Sequence, residues 1–337
     1  MIDLDVLQGQ AVADGRRPVV GALILDERGR AFVHRRGPDR AFLPNGWDLV
    51  GGHVEAGETL LIALHREVAE ETGWSVVGTP SLAFVGDWRT DRGDPSTARR
   101  EFDFIVEVDG DRSRPRLEWP KHTEYRWIGA DELPLLDEND GRDDGLVRHL
   151  AELALRSAFP AGTAYAHATL FLGGAAAEPI ETLRRQWDPA LATQIGAHVT
   201  VAYPDETGSV GELIERARRA ASDCAPFTVR LGMAIRRDGA HDWVGVGVID
   251  TDGGWARLRR LLVSEADARS DVAPHVTIVH PRHSNLGAEA WEAVRGAELA
   301  ATVAFDEVAI TAFDGRAWRT VERVPLSADP AMRSRQA

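Results

Sequence analysis

The stretch "GGHVEAGETLLIALHREVAEETGW", Gly51–Trp74, decides how the first half of the chain is read. Leu61, Leu64 and Val68 recur at helical spacing, so residues 57–73 predict a helix that Gly73 stops. At about 100° per residue, Glu67, Glu70 and Glu71 share an arc of roughly 100° on that helix. Like charges three and four residues apart destabilise an isolated helix by roughly a few tenths of a kcal/mol per pair. A hard divalent cation held by several carboxylate oxygens reverses the repulsion, and Mg²⁺ or Mn²⁺ suits because it also bridges phosphate oxygens. For the three acids by themselves, a solvated face with an Arg66–Glu70 pair is the plainer reading. The fixed set Gly52, Glu58, Arg66, Glu67, Glu70, Glu71 and Gly73 outweighs it. At usages of roughly 7% per residue, seven such matches arise by chance on the order of 10⁻⁸ per position.

Around this stretch the pattern mixes strands and helices. Val19–Leu25 and Ala31–Arg36, joined by the turn "DERGR", read as a hairpin. Further strands are expected at "SLAFVGDW", "EFDFIVEV" and "EYRWIG", and a helix at "DDGLVRHLAELALRSA". "FPAGTA", Phe159–Ala164, then has linker composition. The second half restarts with a strand, "AYAHATLFL", and a helix, "PIETLRRQW". "FTVRLGMAI" and "WVGVGVI" form another hairpin pattern, followed by helices at "GWARLRRLLVSEA" and "GAEAWEAV". The closing strands "TVAFDEVAITAF" and "AWRTVERVPL" are joined through Asp314-Gly315, a strong hairpin signal.

Two heptads in this second half are nearly identical: "HVTVAYP" at His198–Pro204 and "HVTIVHP" at His275–Pro281. In a strand, residues i and i+2 share a face, so His198 pairs with Thr200 and His275 with Thr277. Two such strands together offer two imidazoles and two hydroxyls to one cavity. A phosphodiester needs a base for the attacking water and an acid for the departing alkoxide, and imidazole does either near neutral pH. The hydroxyls can donate to phosphate oxygens as charge builds. A third H-x-T, His167 and Thr169, lacks the following proline, falls on the opening strand, and reads as coincidence. His280 and His283 are weaker candidates just beyond the second heptad.

The totals bound the rest. A chain of 337 residues favours two domains, and 44% hydrophobic with 27% charged residues is ordinary for a soluble globular protein. Cys224 is the only cysteine, so no intramolecular disulfide or cysteine metal cluster is available, and a reducing compartment fits. "MIDLDVLQGQ" has neither the basic start nor the apolar core of a signal peptide, and no run approaches the roughly 18 apolar residues of a membrane span. A cytoplasmic location is expected. A net charge of −14 argues against affinity built on coating phosphate backbone, so a nucleic-acid substrate would be gripped locally at an end.

The residues of the first stretch resemble the Nudix hydrolase signature, G-x5-E-x7-R-E-U-x-E-E-x-G-U with U a bulky aliphatic; only Trp74 departs from it. The resemblance implies an α/β/α sandwich with a mixed sheet over residues 1–158. It also implies that Glu67, Glu70 and Glu71 bind the cation, with the Gly51 carbonyl a further ligand and Arg66 and Glu58 orienting the carboxylates. The chemistry implied is attack of a metal-activated water on a phosphoanhydride. Trp47, Trp88, Phe102 and Trp127 could stack on a base or fill the core, and Glu101 or Glu124 could add a ligand or base. The heptads resemble the 2H phosphoesterase superfamily, which includes 2′-5′ RNA ligase-like proteins and cyclic nucleotide phosphodiesterases. That implies a bilobal, pseudo-symmetric α+β fold over residues 164–327, a catalytic set of His198, Thr200, His275 and Thr277, and no cofactor. Residues 159–163 are the expected linker and 328–337 a disordered tail.

The two resemblances together imply a bifunctional hydrolase. One half cleaves a nucleoside diphosphate-linked substrate with Mg²⁺ or Mn²⁺; the other opens a cyclic phosphate or cuts a 2′-5′ phosphodiester without metal. The partners expected are nucleotide-type small molecules or RNA ends; a membrane and a DNA-binding motif are not expected. The alternative is a first half that senses nucleotides and regulates a 2H phosphodiesterase.

Overall fold

The apolar run from Val19 is buried on both faces, and that fixes the layers of the first half. The computed structural model describes residues 2–91, 93–158, 165–239, 242–264, 267–269 and 272–327. The expected linker 159–163 and tail 328–337 lie outside the described residues. The chain divides into one unit of Met1–Phe159 with the short segment Arg282–Asn285, and a second of Pro160–Pro281 with Leu286–Ala337.

The first unit runs α1 (Leu4–Ala13), β1 (Arg17–Ile24), β2 (Ala31–Arg36), β3 (Trp47–Asp48), β4 (Val50–His53), α2 (Leu60–Thr72), β5 (Ser75–Arg89), β6 (Ala98–Asp109), β7 (His122–Ile128) and α3 (Leu146–Ser157). A four-stranded mixed sheet has the order β4-β1-β6-β5, with β1 and β6 parallel. A three-stranded sheet has the order β3-β2-β7. Helix α2 packs on β1, β4 and β5, while α3 packs on β1 and β2. On α3, Val147, Leu150, Ala151 and Ala154 join Leu23, Val33, Trp47 and Phe84 in one core cluster. A strand covered on both faces by helices is written as a continuous apolar run rather than an alternating one.

Helix α2 carries the acidic box, and its ends are explicit. Thr59 caps the N-terminus by accepting from the Ile62 N–H, and Gly73 ends the helix in the left-handed region at φ 74°. Its buried stripe is Leu60, Ala63, Leu64, Val68, Glu71 and Thr72. Glu71 therefore lies on the face that packs on the sheet, at a position where an apolar residue would ordinarily stand.

The second unit runs β8 (Ala166–Phe171), α4 (Gly174–Trp187), α5 (Pro189–Gln194), β9 (His198–Ala202), α6 (Val210–Ser222), β10 (Phe227–Arg237), β11 (Trp243–Ile249), α7 (Gly254–Leu262), β12 (His275–Val279), α8 (Gly287–Val294), β13 (Glu298–Phe305), β14 (Glu307–Phe313) and β15 (Trp318–Pro325). Its eight strands form one sheet, β13-β10-β11-β12-β9-β8-β14-β15. The two heptad strands, β9 and β12, are the central antiparallel pair, with Val199 opposite Val276. Both show the same alternation of half-buried and buried residues. Val199, Val201, Val276 and Ile278 enter one core cluster with Leu213 and Ala217 of α6 and Leu258 and Leu262 of α7.

Three features differ from the sequence expectation. Val19–Leu25 and Ala31–Arg36 do not form a hairpin: beyond an isolated Leu25–Ala31 bridge they part, β1 into the four-stranded sheet beside β4 and β6, β2 into the three-stranded sheet between β3 and β7. The apolar run "TVAFDEVAITAF" is not one strand: it breaks at Asp306, whose carbonyl accepts from the Leu326 N–H at 2.7 Å. Its first part pairs with β10 and its second with β8 and β15, in opposite halves of the sheet. Helices α1, α5 and α6 were not anticipated, although Ser209 and Glu212 form a capping box at the start of α6.

Replacing Gly73 by Ala should cost about 1–2 kcal/mol, because an L-residue there must hold left-handed backbone. The expected result is a lower denaturant midpoint for the first unit's transition at unchanged m. An unchanged midpoint would show that α2 does not need this terminus.

Candidate functional site

Arg66 organises the acidic box. Its Nε and Nη2 donate to the two oxygens of Glu58 at 2.8 and 2.9 Å, a bidentate pair. Nη1 reaches Glu67 Oε1 at 2.7 Å and Glu70 Oε2 at 3.3 Å, and Nη2 also donates to the His53 carbonyl at 3.0 Å. One guanidinium thus ties the loop before α2 to three of the helix-borne or helix-capping acids. Its hydrogen bond to Glu58 lowers that carboxyl to about 2.

The other acids differ by depth. Glu70 is half exposed. Glu67 is half-buried, and burial raises its pKa. Glu71 is buried, and burial raises its pKa well above the usual carboxylate range. The Gly51 N–H donates to Glu71 Oε2 at 3.0 Å, which draws β4 onto the helix. A Cβ at Gly52 would lie 2.3 Å from Glu67 Oε1, so only glycine lets the strand approach this carboxylate. The donor set is all oxygen, crowded and partly desolvated, which fits a hard divalent cation.

Behind Glu71 stand two histidines that sequence reasoning passed over, His34 on β2 and His122 at the start of β7. Their rings stack with centroids 3.8 Å apart. Burial lowers each to about 3, so both imidazoles are neutral. Asp103 was also missed. It is fully buried on β6 beside Gly21, where a Cβ would fall 1.9 Å from its Oδ1. Burial raises Asp103 and pushes Glu101 up to about 7. Neither a lone His in a strand nor an Asp two residues from a Glu carries a motif spacing, so only the fold reveals them. Glu124 is partnered by Arg126 at 2.8 Å. Trp47 and Phe102 are core residues; Trp88 stacks on Phe42 and Trp127 on Trp74.

In the second unit, the two heptads repeat their geometry as well as their letters. Nδ1 of His198 lies 2.8 Å from the Gly196 carbonyl, and Nδ1 of His275 lies 2.8 Å from the Ala273 carbonyl. A carbonyl only accepts, so each bond places the proton on Nδ1 and leaves the Nε2 lone pair free to take one. Burial lowers His198 to about 4 and lowers His275 as well. Thr200 and Thr277 share the face of their histidines by strand parity. Gly245 and Gly247 of β11 stand opposite Thr277 and His275, and the Trp243 ring lies over Gly245 and packs edge-on to His275, with centroids 4.9 Å apart.

His167, read from the sequence as a coincidental H-x-T, is buried beside the first heptad. Its strand pairs with β9, setting Thr169 opposite Thr200 and Phe171 opposite His198. Its ring is 5.5 Å from that of His198, stacks on Trp318 at 3.8 Å, and its Nδ1 meets the Thr311 hydroxyl. His283 instead belongs to the short segment of the first unit, with Nδ1 3.3 Å from the Ala83 carbonyl. The His280 N–H donates to Asp188 Oδ2 at 2.9 Å.

The Arg66 bond to Glu58 carries a pH signature. A depressed carboxyl adds stability that is full above its usual value of 4.5 and lost as pH falls toward about 2. Glu58→Gln should therefore be less stable than the wild type near neutrality, and the difference should vanish in acid. Denaturant titrations of both proteins from pH 7 to 2 measure it; a constant difference would refute the assignment.

Comparison with known proteins agrees with both family resemblances. The NUDIX domain model matches residues 15–150, and the model of the 2′-5′ RNA ligase superfamily matches residues 173–317. The chain is 30% identical over 131 residues to an RNA pyrophosphohydrolase of Halorhodospira halophila, covering 34% of this chain and 68% of that protein. It is 33% identical over 134 residues to an RNA pyrophosphohydrolase of Caulobacter vibrioides, covering 36% and 76%. It is 32% identical over 130 residues to the NAD-capped RNA hydrolase NudC of Chromobacterium violaceum, covering 39% and 45%, so it spans less than half of that relative. Residues 15–150 make this chain a member of the Nudix family, and residues 173–317 carry a domain of the 2′-5′ RNA ligase superfamily.

Proposed function

We propose that the chain is a bifunctional hydrolase. Its first unit cleaves a phosphoanhydride in a nucleoside diphosphate-linked substrate or a nucleotide-bearing RNA end. Its second hydrolyses a cyclic phosphate or a 2′-5′ phosphodiester. The observation that carries this reading is completeness: each unit holds an entire constellation, the Arg66-ordered acids in one and the duplicated His198/His275 geometry in the other. The RNA pyrophosphohydrolase and NAD-capped RNA hydrolase relatives support RNA 5′ ends as the first substrate class to test.

In the first unit, Glu67, Glu70 and Glu71, with the Gly51 carbonyl, would hold Mg²⁺ or Mn²⁺. Bound there, the cation would activate a water and neutralise charge on the leaving phosphate. Arg66 and Glu58 act by position: the bidentate pair fixes the guanidinium, which in turn aims Glu67 and Glu70. In the second unit, the Nε2 of one histidine takes the proton of the attacking water. The Nε2 of the other, protonated, returns a proton to the leaving oxygen, while Thr200 and Thr277 donate to the phosphoryl oxygens. Each Nδ1–H, fixed on a backbone carbonyl, keeps the reactive nitrogen aimed outward. No step in this half calls on a cofactor.

The test is a panel of 5′-triphosphorylated and NAD-capped RNA, ADP-ribose, dinucleoside polyphosphates, 2′,3′-cyclic nucleotides and 2′-5′-linked dinucleotides, with Mg²⁺ or EDTA. Glu70→Gln should abolish only the Mg²⁺-dependent cleavage. His198→Ala and His275→Ala should each lower only the EDTA-resistant activity, by about 10²–10⁴-fold. Loss of pyrophosphate cleavage throughout, with nucleotide binding retained, would leave a nucleotide sensor instead.

The pH profile supplies a separate check. The base must be deprotonated and the acid protonated, so kcat/KM follows the pKa values of both free histidines. Burial lowers both, His198 to about 4. The bell for the second activity should therefore centre below the ordinary 6.5 of imidazole; a maximum at or above 6.5 would contradict this pair as acid and base.

A further inference from the structure

We propose that His34, His122 and Glu71 form a binding site for a borderline first-row divalent cation such as Zn²⁺ or Co²⁺, a site that shares Glu71 with the all-oxygen acidic box but takes its other two ligands from imidazoles. The three side chains come from β2, β7 and α2, and all are buried. One ligand atom from each lies within 4.8 Å of the others. Nε2 of His34 is 3.9 Å from Glu71 Oε2, and Nε2 of His122 is 3.5 Å from Glu71 Oε1.

Those separations decide between two readings. They exceed the roughly 3.2 Å limit of an N–H···O hydrogen bond, so the carboxylate does not satisfy the imidazoles directly. Bonds of about 2.0–2.2 Å opened to a tetrahedral angle put two ligands of one cation roughly 3.4 Å apart, close to the 3.5 Å of His122, while the 3.9 Å of His34 must shorten on ligation. Nε2 of His34 and Nδ1 of His122 make no hydrogen bond among the described residues, and a buried polar atom in that state is costly. A cation would satisfy the unpartnered Nε2 of His34 and neutralise the carboxylate that burial otherwise penalises; in His122 the nitrogen facing Glu71 is Nε2, not the unpartnered Nδ1. Neutral imidazole is also the ligating form.

Two imidazoles and one carboxylate favour Zn²⁺, Co²⁺, Ni²⁺ or Fe²⁺ over Mg²⁺, which prefers oxygen throughout. The rings now lie nearly parallel, at 11°, so their in-plane lone pairs run side by side. Ligation must turn them out of the stack until both lone pairs meet the ion. Three protein ligands leave a fourth position for water or a substrate oxygen, as in open zinc sites. The inference does not rest on the hydrolytic reading, because it concerns binding alone.

The experiment is a Co²⁺ titration of the full-length, metal-stripped protein, followed by visible d–d absorption and competed with Zn²⁺. The wild type should show one intense band set that Zn²⁺ bleaches and excess Mg²⁺ does not. His34→Gln/His122→Gln should weaken this binding by at least about tenfold, while Glu70→Gln leaves the bands in place. Because a buried double substitution can disturb folding, the Zn K-edge absorption of the wild type is measured too, at one equivalent. Imidazole scattering from two nitrogens supports the site; an oxygen-only shell, or bands unchanged in the double variant, overturns it. Failure of the hydrolase reading would show differently, as phosphate release insensitive to Glu70→Gln with the Co²⁺ spectrum intact.

Discussion

A buried carboxylate governs the first unit. Glu71 sits in the apolar stripe of α2, between Val68 and Thr72, where the sheet excludes water. An uncompensated charge there would cost several kcal/mol or shift its pKa until it neutralised, by rough Born reasoning. The chain offsets part of this with a backbone amide and with the charge of Arg36. The Gly51 N–H donates to one oxygen, and the two stacked histidines face the carboxylate from the strands behind. The surrounding glycines follow from the same constraint. β4 must come close enough for its amide to reach the helix, and a side chain at Gly52 would collide with Glu67.

The second unit solves a different problem, that of putting polar side chains on a sheet without breaking its core. Strand parity does it. Val199 and Val276 are fully buried on the inner face, while the neighbouring histidines and threonines point to the outer one. A register slip of one residue in either strand would send that strand's histidine into the core and expose its valines. The direct pairing of Val199 with Val276 thus holds the outer constellation in place, and identical letters in the two heptads reflect identical demands on the two strands.

These constraints explain what the sequence disclosed. Spacing along a single element was legible: the arc of acids on α2, the alternation in β9 and β12, and the glycine terminating the helix. Proximity across elements was not. His34 and His122 are 88 residues apart and meet only because β2 pairs with β7. His167 looked like an isolated H-x-T until β8 settled beside β9. The run at residues 302–313 misled for another reason. Asp306 is a single polar residue in an otherwise strand-like stretch, and a tertiary bond from Leu326 marks the break that local pattern left unmarked. The capping box of α6 was a local signal and could have been read.

Depth separates the chemistries that the two groups of the first unit offer. Glu70, half exposed, and Glu67, half-buried, can exchange ligands with solvent and substrate, which a cation shared with a phosphate requires. His34 and His122 lie too deep for a phosphate to replace them, so a cation there would be held by the protein first and meet a substrate only through an open coordination position. Glu71 couples to both groups, since Glu67 raises its pKa from one side and the imidazoles face it from the other. Whatever charge occupies the deeper group must therefore be felt by the acids of the box. At an effective dielectric of about 20, a unit charge 4 Å away contributes about 4 kcal/mol, larger than any single hydrogen bond in the site. A cation held by the inner histidines would therefore compete with the outer one for Glu71, the carboxylate that both groups share.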